Sequence, residues 1–161
     1  MAREEQDRED LMRDATALIE RVELALPGRA ENLVAGFRRG GAVSLYLGQD
    51  PVYHFNAAGQ LRRAFVAGLL VRADDGRLAS LRRERTKKNI SLVRHELSPV
   101  ETEAFRASFN AMRQEILALL DGGRFKIVAQ VPLRQDVLAR FRTWLAGLPE
   151  CVEIARSPRV A

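Results

Sequence analysis

Three features of the sequence predict an α+β domain with a mostly antiparallel sheet. Apolar residues recur at helical spacing near both ends of the chain, but with a period of two across the middle. The period-two segments are separated by short turns, which leave no room for the crossover that a parallel pair needs. A sharp helix start, Ser98-Pro99-Val100-Glu101, then closes the strand-rich region. Together they predict N-terminal helices, a β-meander of about five strands, and a capped helix-strand-helix-strand segment packed on one face of the sheet.

In order along the chain, Leu11, Ala15, Leu18, Ile19, Val22 and Leu26 form one apolar stripe, predicting a helix over 4–26 that Pro27-Gly28 stops. Leu33, Val34 and Phe37 predict a second, short helix over 30–39, ended by Gly40-Gly41. Strands are predicted at 43–48, 52–56, 61–67, 69–73, 77–84 and 90–96, with 61–73 readable as one bent strand or two. The capped helix runs from 98 to about 120 through Phe105, Phe109, Met112 and Ile116, and Asp121-Gly122-Gly123 ends it. A strand at 125–131, a helix over 134–147 and a short strand at 151–155 complete the chain. No linker marks a boundary, so 1–161 reads as a single domain: helical to 40, a basic meander over 42–97, and an αβαβ segment from 98.

Composition narrows the function. With 161 residues and 47% hydrophobic side chains, the chain can build one sizeable core. No apolar run reaches the roughly 18–20 residues that span a bilayer. The charged start MAREEQDREDLMRD has no signal-peptide core, so the expectation is a cytoplasmic protein with no membrane partner. Cys151 is the only cysteine, which excludes an intrachain disulfide and a cysteine-based metal cluster. In CVEIA it reads as a small inward-facing strand residue.

The charge is local. Between Leu61 and Arg94, ten Lys/Arg face only Asp74, Asp75 and Glu84, a surplus of +7 in a protein of net charge +5. The rest of the chain is therefore −2. Of the 26 basic residues 23 are arginine, a bias that a GC-rich genome also produces.

Two phrases carry much of this charge: PVYHFNAAGQLRRAF at 51–65 and ADDGRLASLRRER at 73–85. Each has an Asn/Asp turn, a Gly, one residue, a Leu and then paired arginines. Asn56 with Gly59, and Asp74 with Gly76, fit hairpin turns in which the glycine takes a positive φ. Over Tyr53–Leu61 the phrase resembles the tyrosine-aspartate repeats of large secreted bacterial toxins, with Asn56 where Asp is usual. That resemblance implies a hairpin and no activity.

Strand alternation predicts that each arginine pair splits across the sheet. The member facing the helices then needs a carboxylate, for which Glu101, Glu103 and Glu115 are candidates. The other joins an open basic face. The resulting set for phosphate or nucleic-acid binding is Arg62, Arg63, Arg72, Arg77, Arg82, Arg83, Arg85, Lys87 and Lys88. Tyr53, Phe55 and His54 are candidate stacking groups. The function expected is non-catalytic binding of a polyanion, nucleic acid first.

Two other classes compete. A protein-interaction or scaffold domain would use the same arginines to balance its own acidic helices, and would dimerise or take a partner at a sheet edge or along the first helix. A metal-dependent nuclease would recruit Asp50, His54, Glu84 and Lys87, but E-R-T-K lacks the E-x-K spacing of such enzymes. His54 and His95 as a metal pair have no evident third ligand. Neither a P-loop, a Rossmann glycine fingerprint, a zinc-ligand series nor a nucleophile elbow is present, so no metal, cofactor or catalytic residue is expected.

Overall fold

The computed structural model describes residues 3–14, 20–66, 69–74, 77–85, 87–128 and 136–148. Eight strands follow one another as an antiparallel meander: β1 (Glu20–Ala25), β2 (Leu33–Phe37), β3 (Val43–Leu47), β4 (Asp50–Phe55), β5 (Leu61–Val66), β6 (Leu69–Asp74), β7 (Arg77–Arg85) and β8 (Ile90–Glu96). A ninth, β9 (Lys126–Val128), pairs antiparallel with β1, giving the order β8-β7-β6-β5-β4-β3-β2-β1-β9. Helix α1 (Arg3–Asp14) precedes the sheet, while α2 (Pro99–Asp121) and α3 (Val137–Gly147) flank β9 in sequence. The fold is α+β, with an antiparallel meander followed by helix-strand-helix. Among the described residues no helix is long and apolar enough to cross a membrane.

The sheet is larger than the sequence predicts because two segments read as helix are strands. The first helix is described over Arg3–Asp14, and Glu20–Ala25, read as its continuation, is β1. There Val22, Leu24 and the following Leu26 all turn inward, so alternation wins over the helical stripe that Val22 and Leu26 also fit. Over 30–39 the chain forms β2. Its Leu33-Val34-Ala35-Gly36 run is buried on both sides, so it offers no alternation to read and mimics a short apolar helix. Residues 61–73 resolve into β5 and β6, paired from Val66↔Leu69 to Arg63↔Arg72. The predicted strand at 151–155, Cys151 within it, and Gly76 lie outside the described residues.

The two faces of the sheet bury different things. One takes Val22, Leu24, Leu45, Phe55, Leu61 and Val71 into the main core beneath α2 and α3. Phe109 of α2 is fully buried there, edge-on to Tyr53 at 5.2 Å between ring centroids and 5.6 Å from Phe55. Trp144 of α3 meets Phe55 at 5.3 Å. Truncating an aromatic in such a setting costs about 3–5 kcal/mol. The opposite face takes α1, whose Leu11 packs on Phe65, Leu70 and Leu81.

Polar contacts fix the helices. Ser98 caps α2: its hydroxyl accepts from the Glu101 N–H at 3.1 Å, and the Glu101 carboxylate accepts from the Ser98 N–H at 2.9 Å. Buried Arg113 donates to the Leu148 carbonyl at the end of α3, at 3.1 Å. Arg142 forms a two-pronged pair with Asp121, at 2.6 and 2.9 Å, tying α3 to the end of α2.

Replacing the cap, Ser98→Ala, is expected to lower unfolding stability by about 1 kcal/mol in urea titrations. The Ser98 backbone N–H, then the Ser98 side chain and Arg82, hold the Glu101 carboxyl below its ordinary 4.5. A depressed carboxyl stabilises the fold fully above that ordinary value and loses the contribution as pH falls through its folded value. The substitution keeps the backbone N–H at 98, so only the part of the Ser98→Ala deficit that comes from the lost side-chain contact should shrink as the titration is repeated from pH 6 down to pH 3.

Candidate functional site

Arg62 and Arg63 do not split across the sheet. β4 and β5 pair as Tyr53↔Ala64 and His54↔Arg63, but then as Phe55↔Leu61, so β5 carries one extra residue at Arg62. This β-bulge lets Leu61 and Ala64, three residues apart, both enter the core at 0% exposure. Both arginines between them stay outside it, Arg62 exposed and Arg63 half-buried. The turn before the bulge is built as its composition predicts. The Asn56 side chain accepts from the N–H groups of Ala58 (3.1 Å) and Gln60 (3.0 Å), and Gly59 takes φ 82°.

The register then gathers basic residues from neighbouring strands. His54, Arg63 and Arg72 stand directly opposite one another on β4, β5 and β6, on the face away from α2. With Arg62 and Ala73 they line a polar concavity of about 240 Å³. The His54 ring is held from behind: its Nδ1 lies 2.8 Å from the Ser44 hydroxyl, which accepts from Arg38 Nε at 2.9 Å. Arg38 also donates to the Tyr46 hydroxyl at 2.9 Å. Arg72 is paired through Nη2 with Asp7 of α1, a carboxylate only 7% exposed. Its Nε is buried and has no acceptor among the described residues. Arg62 and Arg63 make no ion pair among the described residues.

A second basic region lies farther along β7. Only 77–81 of β7 pair with β6, whereas 79–85 pair with β8. The β7–β8 hairpin therefore outruns the sheet by four residues per strand, 82–85 against 90–93, a ribbon of about 13 Å at 3.3 Å per residue. Alternation splits this arginine pair as predicted. Arg82 turns toward α2 and reaches Glu101 at 3.2 Å, and Glu84 on the same side meets His95 at 2.7 Å. Arg83 and Arg85 turn the other way, opposite Leu92 and Ile90, with Arg94 one step farther back. One side of the ribbon thus carries the Arg82–Glu101 and His95–Glu84 pairs and the other carries Arg83 and Arg85, with exposed Lys87 and Lys88 beyond it.

The candidates of the sequence separate accordingly. Arg62, Arg63, Arg72 and His54 converge on the concavity, while Arg83, Arg85, Lys87 and Lys88 belong to the ribbon. Arg77 pairs with Glu96 at 3.2 Å near the opposite end of β7, and Arg82 with Glu101. Of the proposed internal partners, Glu101 serves Arg82, whereas Glu115 pairs with Arg29 and Glu103 with Arg106.

Tyr53 and Phe55 are not stacking groups: at 7% and 1% exposure they lie in the core under Phe109, and burial raises the Tyr53 phenol's pKa. His54 and His95 cannot form a metal pair, because His54 lines up with Arg63 while His95 lines up with Ser80 on the other face. Among the described residues no three His, Cys, Asp or Glu side chains group to hold a metal, so the nuclease set of Asp50, His54, Glu84 and Lys87 does not assemble. Sequence reasoning missed Arg38, Ser44 and Asp7. Reading 30–39 as helix hid the alignment of Arg38 with Ser44, and nothing local marks Asp7 as the partner of a residue 65 positions away.

No protein-family model, curated protein or solved structure matches the chain.

Deleting Arg62 would bring Leu61 opposite Phe55 and Arg63 opposite His54 in unbroken register. The deletion is expected to change stability by less than about 1 kcal/mol in urea titrations, because it removes an unpaired residue without reversing the faces. Cooperative unfolding lost altogether would show that the bulge is needed for the core.

Proposed function

We propose that the protein is a non-catalytic, cytoplasmic nucleic-acid-binding domain whose principal contact is the projecting β7–β8 ribbon. The observation that carries this reading is the cluster of exposed cations at the end of the ribbon, Arg85, Lys87 and Lys88, beyond the side that carries the Arg82–Glu101 and His95–Glu84 pairs. A two-stranded ribbon fits a duplex major groove, which is about 12 Å wide. Cations on one side and at the tip would meet the phosphates that border it.

Burial of Tyr53 and Phe55 removes the aromatic platforms that base stacking requires. Binding then rests on phosphate contacts and counterion release, which favours duplex without sequence preference. A second reading has one observation in its favour. β8 is an edge strand of seven residues with Ile90 66% exposed, a surface able to add a strand from a second copy.

A fluorescently labelled duplex should bind at 50 mM salt and be released steeply toward 200 mM. The Arg85→Ala/Lys87→Ala/Lys88→Ala variant should weaken binding at least tenfold and flatten the log–log salt slope by roughly 3, about 0.9 per lost phosphate contact. Absence of binding by the parent chain at 50 mM salt would defeat the proposal. A stable dimer by light scattering, dispersed by Ile90→Lys without effect on the duplex, would instead favour the edge reading.

A further inference from the structure

We infer that the concavity formed by His54, Arg62, Arg63 and Arg72 is a separate binding site for a phosphate dianion, free or as the phosphoryl group of a monoester. It goes beyond the ribbon reading and does not depend on it. Arg72 opposes Ala79 on β7, and six further residues lead to Arg85, so the two regions lie roughly 20 Å apart along the strand. Between them lies the apolar row of Phe65, Leu70 and Leu81, covered by Leu11 of α1. One small ligand cannot bridge them.

Four features fit the site to a phosphate. First, the bulge at Arg62 adds a second guanidinium to the same side as Arg63, where regular alternation allows one. Second, His54, Arg63 and Arg72 occupy adjacent strands about 4.8 Å apart, so two guanidinium groups and an imidazole stand within about 10 Å. Forked guanidinium donors around a tetrahedral oxyanion provide the charge-assisted bonds that a phosphate accepts.

Third, the concavity of about 240 Å³ has the volume of roughly eight waters, suited to a phosphoryl group with a few bound waters and not to a folded polymer. Fourth, the buried Nε of Arg72 is a donor with no acceptor among the described residues, a state it shares with the Nε atoms of Arg106, Arg113 and Arg140. The Asp7 carboxylate already holds the other arm of Arg72, which shows that this cation accepts an anion from outside the sheet. Asp7 therefore acts as a built-in competitor that weakens the site without closing it.

The test uses the Arg85→Ala/Lys87→Ala/Lys88→Ala chain, which removes three of the four ribbon cations, and reads binding at the concavity by residue. Inorganic phosphate and phenyl phosphate are each titrated by calorimetry and by ¹H–¹⁵N NMR, with chloride held constant. Both should bind saturably, with shifts confined to residues around 54, 62–63 and 72. A several-fold preference for phenyl phosphate identifies a monoester as the ligand, and equal affinities identify the free ion.

Deleting Arg62, or Arg63→Ala, should weaken binding at least tenfold while the chain remains folded. Asp7→Asn should strengthen it several-fold, which a merely structural role for these arginines would not produce. No saturable binding of either probe overturns the inference, as does binding that is indifferent to both arginine changes. Restored to the parent ribbon, the Arg62 deletion should still bind duplex, so failure here and failure of the ribbon reading give different results.

Discussion

Phe109 of α2 sits against both Tyr53 and Phe55 of β4, and these three rings fix which way the middle of the sheet faces. With Tyr53 and Phe55 pointing into the core, His54 must point out of it. Through the register, His54 places Ser44 on one side and Arg63 and Arg72 on the other. A one-residue slip of β4 would expose both aromatic rings and bury an imidazole, so the cost of losing the aromatic contact maintains the polar arrangement on the opposite face. The cationic concavity is thus held in place by packing that it never touches.

The same sheet treats its arginines in two ways. Where alternation is regular, as at Arg82-Arg83, one member turns toward α2 and finds Glu101 while its neighbour turns to the other face. Where the bulge interrupts it, at Arg62-Arg63, neither turns inward and neither is paired among the described residues. Stability alone does not call for keeping two guanidinium groups together beside a third, since like charges at close range repel. That cost, set against the simpler ladder available to a chain one residue shorter, is what the proposed phosphate site would account for.

Helix α1 gives the outer face its division. Leu11 covers Phe65, Leu70 and Leu81, and Asp7 neutralises Arg72, so the helix seals the apolar middle of that face. The concavity remains on one side of the seal and the ribbon on the other. The Arg72–Asp7 pair is largely desolvated, and removing either partner alone leaves the other charged in a poor solvent. Its value therefore lies as much in anchoring α1 as in tuning the cation.

By itself, the sequence determined those features that depend on neighbours in the chain: the capping box at Ser98, the Asn56–Gly59 turn, the antiparallel meander implied by short connections, and the concentration of charge between Leu61 and Arg94. It failed at β1 and β2. Val22 and Leu26 fit a helical stripe as well as a strand, and a segment buried on both faces has no alternating pattern to read. Which arginines would meet a carboxylate was decided only by the tertiary structure. Asp7 is 65 positions from Arg72, and one extra residue in β5 reversed the expected separation of Arg62 from Arg63. Facing direction in a sheet depends on register with a neighbouring strand, and register is a property of the packed core, not of the local sequence.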